Sequence, residues 1–304
     1  MPLSWVICLI LVLVDLLGGV RGEVGNFSPC LHFFYKGSPP KGLGSGSGPG
    51  WSKICQRYKN QYRFASLYRS QWRSPLYSAY IFTPGGMKRP PTQWKYEPQL
   101  ASSSASPNMK PFPPEVLDQN VLDSQAVLPD YTNSSYTKGH LSPNLHHRDL
   151  LDKKATFTLT NVVPQKAGSN GGPWAQLEAL VRARLTDYCT GPAFVVTGQL
   201  PYAQPRSINN RVAVPEYLWS AYCCPTYNHS LPGGLQETFP TFAAMGRNDP
   251  LSSQEIVPVN SSARATVRGY DVRSMPLKIL EKYLEQRLGE PVHVFSECCS
   301  GAGD

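Results

Sequence analysis

Hydrophobic and polar positions recur with a clear period in only a few stretches of this chain. Leu76-Tyr77-Ser78-Ala79-Tyr80-Ile81-Phe82 is rich in aromatic and aliphatic residues and reads as a strand. Ala155–Thr160 alternates with period two, the pattern of a half-buried strand. Ala193–Thr197 is a short apolar run ended by Gly198, which suits a central strand, and Val212–Cys223 is a further strand region. Trp174, Leu177, Val181, Leu185 and Tyr188 fall at helical spacing and predict a helix over Trp174–Tyr188. A second helix is predicted over Ser274–Leu288, with a Ser cap, Pro276 in the first turn, Gly289 at the end and an apolar stripe of Leu277, Leu280, Leu284 and Leu288. Strands mixed irregularly with few helices predict an α+β fold with a mixed or antiparallel sheet core. With no internal repeat and no clean linker, residues 23–304 read as one domain. It carries a Gly-rich loop at 36–50 and a Pro- and Ser-rich excursion at 84–114.

Composition narrows the class. The chain has 304 residues, 41% hydrophobic and 16% charged, which is enough for a large core and excludes a mostly disordered chain or a coiled coil. The formal net charge is +8, and it is concentrated. Between Val24 and Tyr96 there are eleven Lys or Arg and no Asp or Glu, leaving the remainder slightly acidic. One basic segment on a near-neutral body points to a polyanionic partner such as nucleic acid or heparan-type sugar. A solvated face without a ligand is the plainer reading of the same charges. The basic and aromatic stretch Arg57–Arg73 suits single strands by stacking, although most of those aromatic residues are expected in the core.

The compartment is read from the N-terminus and the cysteines. Trp5–Val14 is uninterruptedly apolar and is followed by small residues, so residues 1–22 are expected to be a secretory signal peptide and the protein to be secreted, with no stable membrane anchor. Four Asn-x-Ser sequons, at Asn26, Asn133, Asn228 and Asn260, agree with secretion and glycosylation. Beyond the signal, seven cysteines remain: Cys30, Cys55, Cys189, Cys223, Cys224, Cys298 and Cys299. Most are expected to pair in an oxidising compartment, Cys30 with Cys55 and Cys189 with one of Cys298 and Cys299. An odd thiol is left free or joins another chain. Zinc is disfavoured, because no CxxC or His-x3-His spacing is present.

Two positions break the pattern around them. Glu178 lies within about 40° of Trp174 on the helical wheel, on the apolar stripe. A buried carboxylate needs a partner: a cation such as Arg, a metal-bound water, or backbone donors. His140 follows Gly139 in a turn-rich stretch beside the basic Lys138, and imidazole is the side chain best suited to accept a proton near neutral pH. A hydrogen-bonded loop histidine is the commoner fate. His146 and His147, near Asp149, read as surface residues.

Lys138-Gly139-His140-Leu141-Ser142-Pro143 resembles the Arg-Gly-His core of the DNA/RNA non-specific endonucleases. Phe157–Gln165 is similar to the segment that follows that core. Asn170-Gly-Gly-Pro-Trp-Ala-Gln-Leu-Glu178 resembles the family's Asn-x3-Trp-x2-Leu-Glu stretch, and Arg73–Tyr80 its upstream Arg-containing strand. These four matches occur in order from Arg73 onward, and together they are far more specific than any one alone.

The resemblance implies a ββα-metal, or His-Me finger, active site with one divalent cation, Mg2+ or another such as Mn2+. It implies Asn170 as the metal ligand, Glu178 as acceptor from metal-bound water, and His140 as general base. Arg73 and Lys138 match positions that hold phosphate oxygens, and Asn161 matches a further active-site Asn that positions. Substrates would be DNA and/or RNA, cut with low sequence preference to leave 5′-phosphate ends. The sequence departs from the family where Thr137-Lys138 stand in place of Asp-Arg. Lysine keeps the charge but loses the planar bidentate donor, and losing the Asp removes a structural hydrogen bond around the loop. The competing expectation is a secreted polyanion-binding protein that is catalytically weak or inactive.

Overall fold

The computed structural model describes residues 24–44, 50–86, 88–114, 117–295 and 299. The segment read as a signal peptide, the centre of the Gly-rich loop and Cys298 lie outside the described residues.

Seven strands form one fully antiparallel sheet: β1 (Trp51–Tyr58), β2 (Gln61–Arg69), β3 (Ser74–Phe82), β6 (Ala193–Pro201), β7 (Pro215–Cys223), β8 (Thr241–Arg247) and β9 (Val272–Met275). They lie in the order β1-β2-β3-β6-β7-β8-β9. Between β3 and β6 the chain leaves the sheet to build a separate antiparallel hairpin, β4 (Thr137–His140) and β5 (Val162–Gln165). Helix α1 (Leu150–Ala155) lies within that hairpin's connection. The short α2 (Ala167–Asn170) and the long α3 (Pro173–Tyr188) follow it, and α4 (Leu277–Leu288) closes the fold.

The sheet is covered on both faces, which is why β3, β6 and β7 are buried along nearly their whole length. On one face Trp174, Leu177, Val181 and Leu185 of α3 pack on Phe64, Tyr80, Val195, Leu218 and Phe242. On the other, Leu280 and Leu284 of α4 join Phe27, Phe33 and Phe34 over Leu67, Leu76, Val196 and Trp219. A third cluster under the hairpin gathers Tyr131, Leu159, Val162, Tyr202, Ile208 and Val214. The α+β expectation and the Trp174 helix therefore stand. Gly198 does not end its strand. It lies mid-strand because a Cβ there would come within 2.4 Å of the Trp219 indole on the neighbouring strand.

Three other expectations are corrected. Ala155–Thr160 is not a strand: it runs from the end of α1 into a 3-10 turn at Leu159–Asn161, and residues 155–165 are all buried. Its threonines do not alternate outward, because Thr158 and Thr160 donate to the buried Glu97 carboxylate and Thr156 to the Lys153 carbonyl. Ser274 does not cap the last helix but belongs to β9, and the helix starts after Pro276, with Gly289 at left-handed φ 79° closing it as expected. Finally, the cysteines pair as Cys30–Cys55, Cys189–Cys224 and Cys223–Cys299. The first is the expected bridge; the partner expected for Cys189 is not. Successive strand residues point to opposite faces, so Cys223 lies in the α4-side core and Cys224 in the α3-side core. Each takes the thiol that its own face offers.

Candidate functional site

The hairpin positions the Lys138-Gly139-His140 triplet. Thr137 pairs with Gln165, Gly139 with Val163 and His140 with Val162. Gly139 is required by close approach, since a Cβ would meet the Gln165 side chain at 2.2 Å. The chain then turns directly from β5 into α2 and α3, so His140 on β4, Asn170 on α2 and Glu178 on α3 belong to one hairpin-helix unit.

Asn161 fastens the turn that follows His140. It is fully buried, and its Oδ1 accepts from Ser142 N and from Ser78 Oγ, both at 2.9 Å. Its Nδ2 donates to the carbonyls of Ser142 and Thr156, both at 3.0 Å, and its own carbonyl accepts from Leu141 N. Ser78 continues to Ser66, Ser66 to Gln56, Gln56 to Thr160, and Thr160 to Glu97, giving a buried polar chain through the sheet to the excursion.

The His140 ring lies among Trp94 (centroids 5.6 Å apart, planes 33°) and Phe157 (5.4 Å, 79°). The residue as a whole is half-buried, but Nε2 is enclosed and has no hydrogen-bond partner among the described residues. Burial, and secondarily the Arg89 charge, pull its pKa down to about 3. The ring is therefore neutral at pH 7 and able to accept a proton.

Asn170 Nδ2 donates to Thr137 Oγ1 at 2.8 Å, and Thr137 Oγ1 in turn donates to the Gln165 carbonyl at 2.7 Å. The threonine that replaces the family's Asp thus supplies an acceptor that orients the Asn170 amide. Asn170 Oδ1 takes no hydrogen bond among the described residues. The Glu178 carboxyl is pushed up to about 8 by burial, against the lowering influence of Arg89 and Trp174. It forms no salt bridge among the described residues. Trp174 Nε1 is near enough to act on it but outside hydrogen-bonding geometry, and that nitrogen is itself buried without a partner. An uncommitted amide oxygen on α2 and an under-compensated carboxyl on α3 are hard oxygen donors of the kind a largely hydrated divalent cation takes. Among the described residues no group of three His, Cys, Asp or Glu could hold a metal, so any cation here relies on the amide.

Lys138 Nζ lies over the rings of Trp94 (5.4 Å) and Tyr131 (4.9 Å), half-buried and with its pKa lowered by desolvation. Arg73, at left-handed φ 47°, donates from Nε to the Leu122 carbonyl (3.2 Å) and from Nη1 to the Arg211 carbonyl (3.5 Å). Among the described residues, no hydrogen bond, ion pair or ring contact joins it to Lys138, His140, Asn170 or Glu178. His146 and His147 are not surface residues, each being only 2% exposed. Tyr80 Oη bonds His146 Nδ1 at 2.8 Å and His146 Nε2 bonds the Glu178 carbonyl at 2.9 Å, which makes Nε2 the protonated nitrogen. His147 Nε2 bonds Ser142 Oγ at 2.8 Å.

Sequence reasoning missed Arg89 and Trp94. Both belong to the Pro/Ser-rich excursion, where no period marks a buried position. Arg89 rests 5.0 Å over Phe157 and acts electrostatically on both His140 and Glu178, so it faces the site. The available signal was an Arg and a Trp flanking Pro-Pro in a segment otherwise poor in large side chains.

Residues 51–276 match the family model described as DNA/RNA non-specific endonuclease. The chain is 35% identical over 231 residues to the human endonuclease domain-containing 1 protein, covering 73% of this chain and 43% of that protein. Against its mouse counterpart identity is 31% over 212 residues, covering 66% and 40%. A 107-residue stretch is 34% identical to human mitochondrial endonuclease G, covering 31% of this chain and 35% of that one. The chain spans about two fifths of the length of the first two relatives.

Proposed function

The chain belongs to the DNA/RNA non-specific endonuclease family, and on that premise we propose that it is a metal-dependent endonuclease hydrolysing phosphodiester bonds of DNA and/or RNA at a ββα-metal site. The observation that carries the reading is the coincidence, on one hairpin-helix unit, of a neutral imidazole with its Nε2 enclosed, an amide whose oxygen takes no hydrogen bond among the described residues, and a half-buried carboxyl without a salt-bridge partner among them. His140 is the general base and accepts a proton from the attacking water. Asn170 Oδ1 directly, and Glu178 through water, are the groups that would hold Mg2+ or Mn2+. When bound, the cation supplies charge stabilisation at the phosphate and the leaving oxygen. Lys138 and Arg89, which rest on the Trp94 and Phe157 rings that pack against His140, bind phosphate oxygens. Arg73 has the bonding pattern of a scaffold residue. Asn161 fixes the turn beyond His140.

The three disulfides support folding in an oxidising compartment and, with it, secretion. A non-catalytic polyanion binder would use the same cations, and one experiment separates the two. The purified protein is incubated with supercoiled plasmid with and without Mg2+, beside His140→Ala. Nicking that needs the cation and falls about 10²–10⁴-fold in the variant is expected for loss of a general base. Chelator-insensitive binding without nicking by the unmodified protein would refute the proposal.

A further inference from the structure

Three cations rest on tyrosines of the cluster that supports the hairpin. Lys138 Nζ is 4.9 Å from the Tyr131 ring. Lys166, one residue beyond β5, lies 4.1 Å over Tyr136 and is held by Ser135 Oγ at 3.0 Å. Arg206 is 4.0 Å over Tyr202. Tyr131, Tyr136 and Tyr202 all pack in the cluster beneath the hairpin, so the three charges are parts of one surface. None of the three has a carboxylate within ion-pairing distance among the described residues, where salt bridges join Arg63, Arg211 and Arg287 to acids instead. The nearby carboxylates are otherwise engaged. Asp130 is paired with Arg211, Asp249 accepts from Tyr136 Oη and Leu251 N, and Glu216 is paired with Arg287.

Cations fixed on aromatic faces lose little side-chain freedom when an anion arrives, and these have no carboxylate partner among the described residues to give up. Lys138 sits two residues before His140; Lys166 and Arg206 carry the same charge outward. We propose that Lys166 and Arg206, continuing from Lys138, form a phosphate track along which a nucleic-acid strand leaves the active site. The proposal rests on the nuclease reading above and deepens it: the substrate is a chain long enough to reach beyond the scissile phosphate. The track reads backbone charge and no base identity.

The test uses the full chain in EDTA, where binding is measured without cleavage. Fluorescence anisotropy follows a labelled single-stranded 20-mer and a labelled trinucleotide across a salt series. For Lys166→Gln/Arg206→Gln, loss of two phosphate contacts on a single strand should flatten the log K against log salt plot by about 1.4. Between 50 and 200 mM salt the variant then loses about sevenfold less affinity than the unmodified protein. The trinucleotide should be unaffected, and Lys166→Arg/Arg206→Lys should restore the slope. An unchanged 20-mer slope overturns the track. So does an equal flattening in Lys278→Gln/Lys282→Gln, whose exposed lysines lie on α4 across the sheet. Plasmid nicking in Mg2+ is measured in parallel. A protein that shows the slope change but never nicks retains the track and loses the nuclease reading; the converse result overturns the track alone.

Discussion

Asn161→Leu is the sharpest test of how the fold holds the site. Leucine keeps the side-chain volume and removes both polar atoms. Four hydrogen bonds at 2.9–3.0 Å disappear, and the N–H and C=O of Ser142 lose their Asn161 partners in a fully buried place. Ser78 keeps Ser66 as a partner, so three buried groups are left bare: the N–H and C=O of Ser142 and the C=O of Thr156. At about 1–3 kcal/mol for each buried group left unsatisfied, the cost is roughly 6 kcal/mol. A protein in the middle of the ordinary stability range of about 5–15 kcal/mol still stays mostly folded at 25 °C. With about 2–4 °C per kcal/mol for a domain of this size class, Tm should fall by roughly 20 °C. Cleavage at 25 °C should fall by more than unfolding explains, on the order of 10²-fold, because the turn that aims His140 is released. Thermal unfolding by circular dichroism, with plasmid nicking well below the variant's Tm, checks both parts. A melting temperature within 2 °C of the unmodified protein, with full activity, would refute the argument.

Three further outcomes follow from the same geometry. His146 and His147 are buried, with pKa values pulled down to about 4 and about 3, so the folded state binds fewer protons than the unfolded state below pH 6.5. Their contribution to stability is complete above pH 6.5 and is lost as pH falls towards those values; Tm should drop over that range, less steeply in His147→Asn, and a flat profile from pH 7 to 4.5 would contradict it. Thr137→Val removes the acceptor that orients Asn170 and should raise the Mg2+ needed for half-maximal nicking by about 10–100-fold, with Thr137→Ser near normal; identical metal titrations would sink the orienting role. At fixed ionic strength Lys138→Ala should lose most activity while Lys138→Arg retains it, and a fully active Ala variant would show that the ammonium between Trp94 and Tyr131 does not bind the scissile phosphate.

What the sequence revealed follows from how each residue acts. The Trp174 helix was legible because its apolar stripe repeats over 15 residues, and Glu178 stood out because it interrupts that stripe. His140, Asn170 and Glu178 were legible as a linear motif because one hairpin-helix unit carries them all. Arg89 and Trp94 were not, because they reach the site from an aperiodic excursion whose position is set by tertiary contacts with Phe157 and the His140 ring. Ala155–Thr160 misled because threonine counts as polar in an alternation pattern, while here its hydroxyls are buried and satisfied by Glu97 and Lys153.

The adjacent Cys223 and Cys224 act as a rivet driven through the sheet. One covalent path runs from Cys299 through Cys223, a single peptide bond and Cys224 to Cys189 at the end of α3. A displacement of the last described residue on one face is thereby transmitted to the foot of the Glu178 helix on the other, bypassing the inter-strand hydrogen bonds. The two outer layers cannot peel away independently while both bridges are intact, so local opening near either bridge should appear in hydrogen exchange as a shared event. Reduction would uncouple the layers and allow each to open at its own rate.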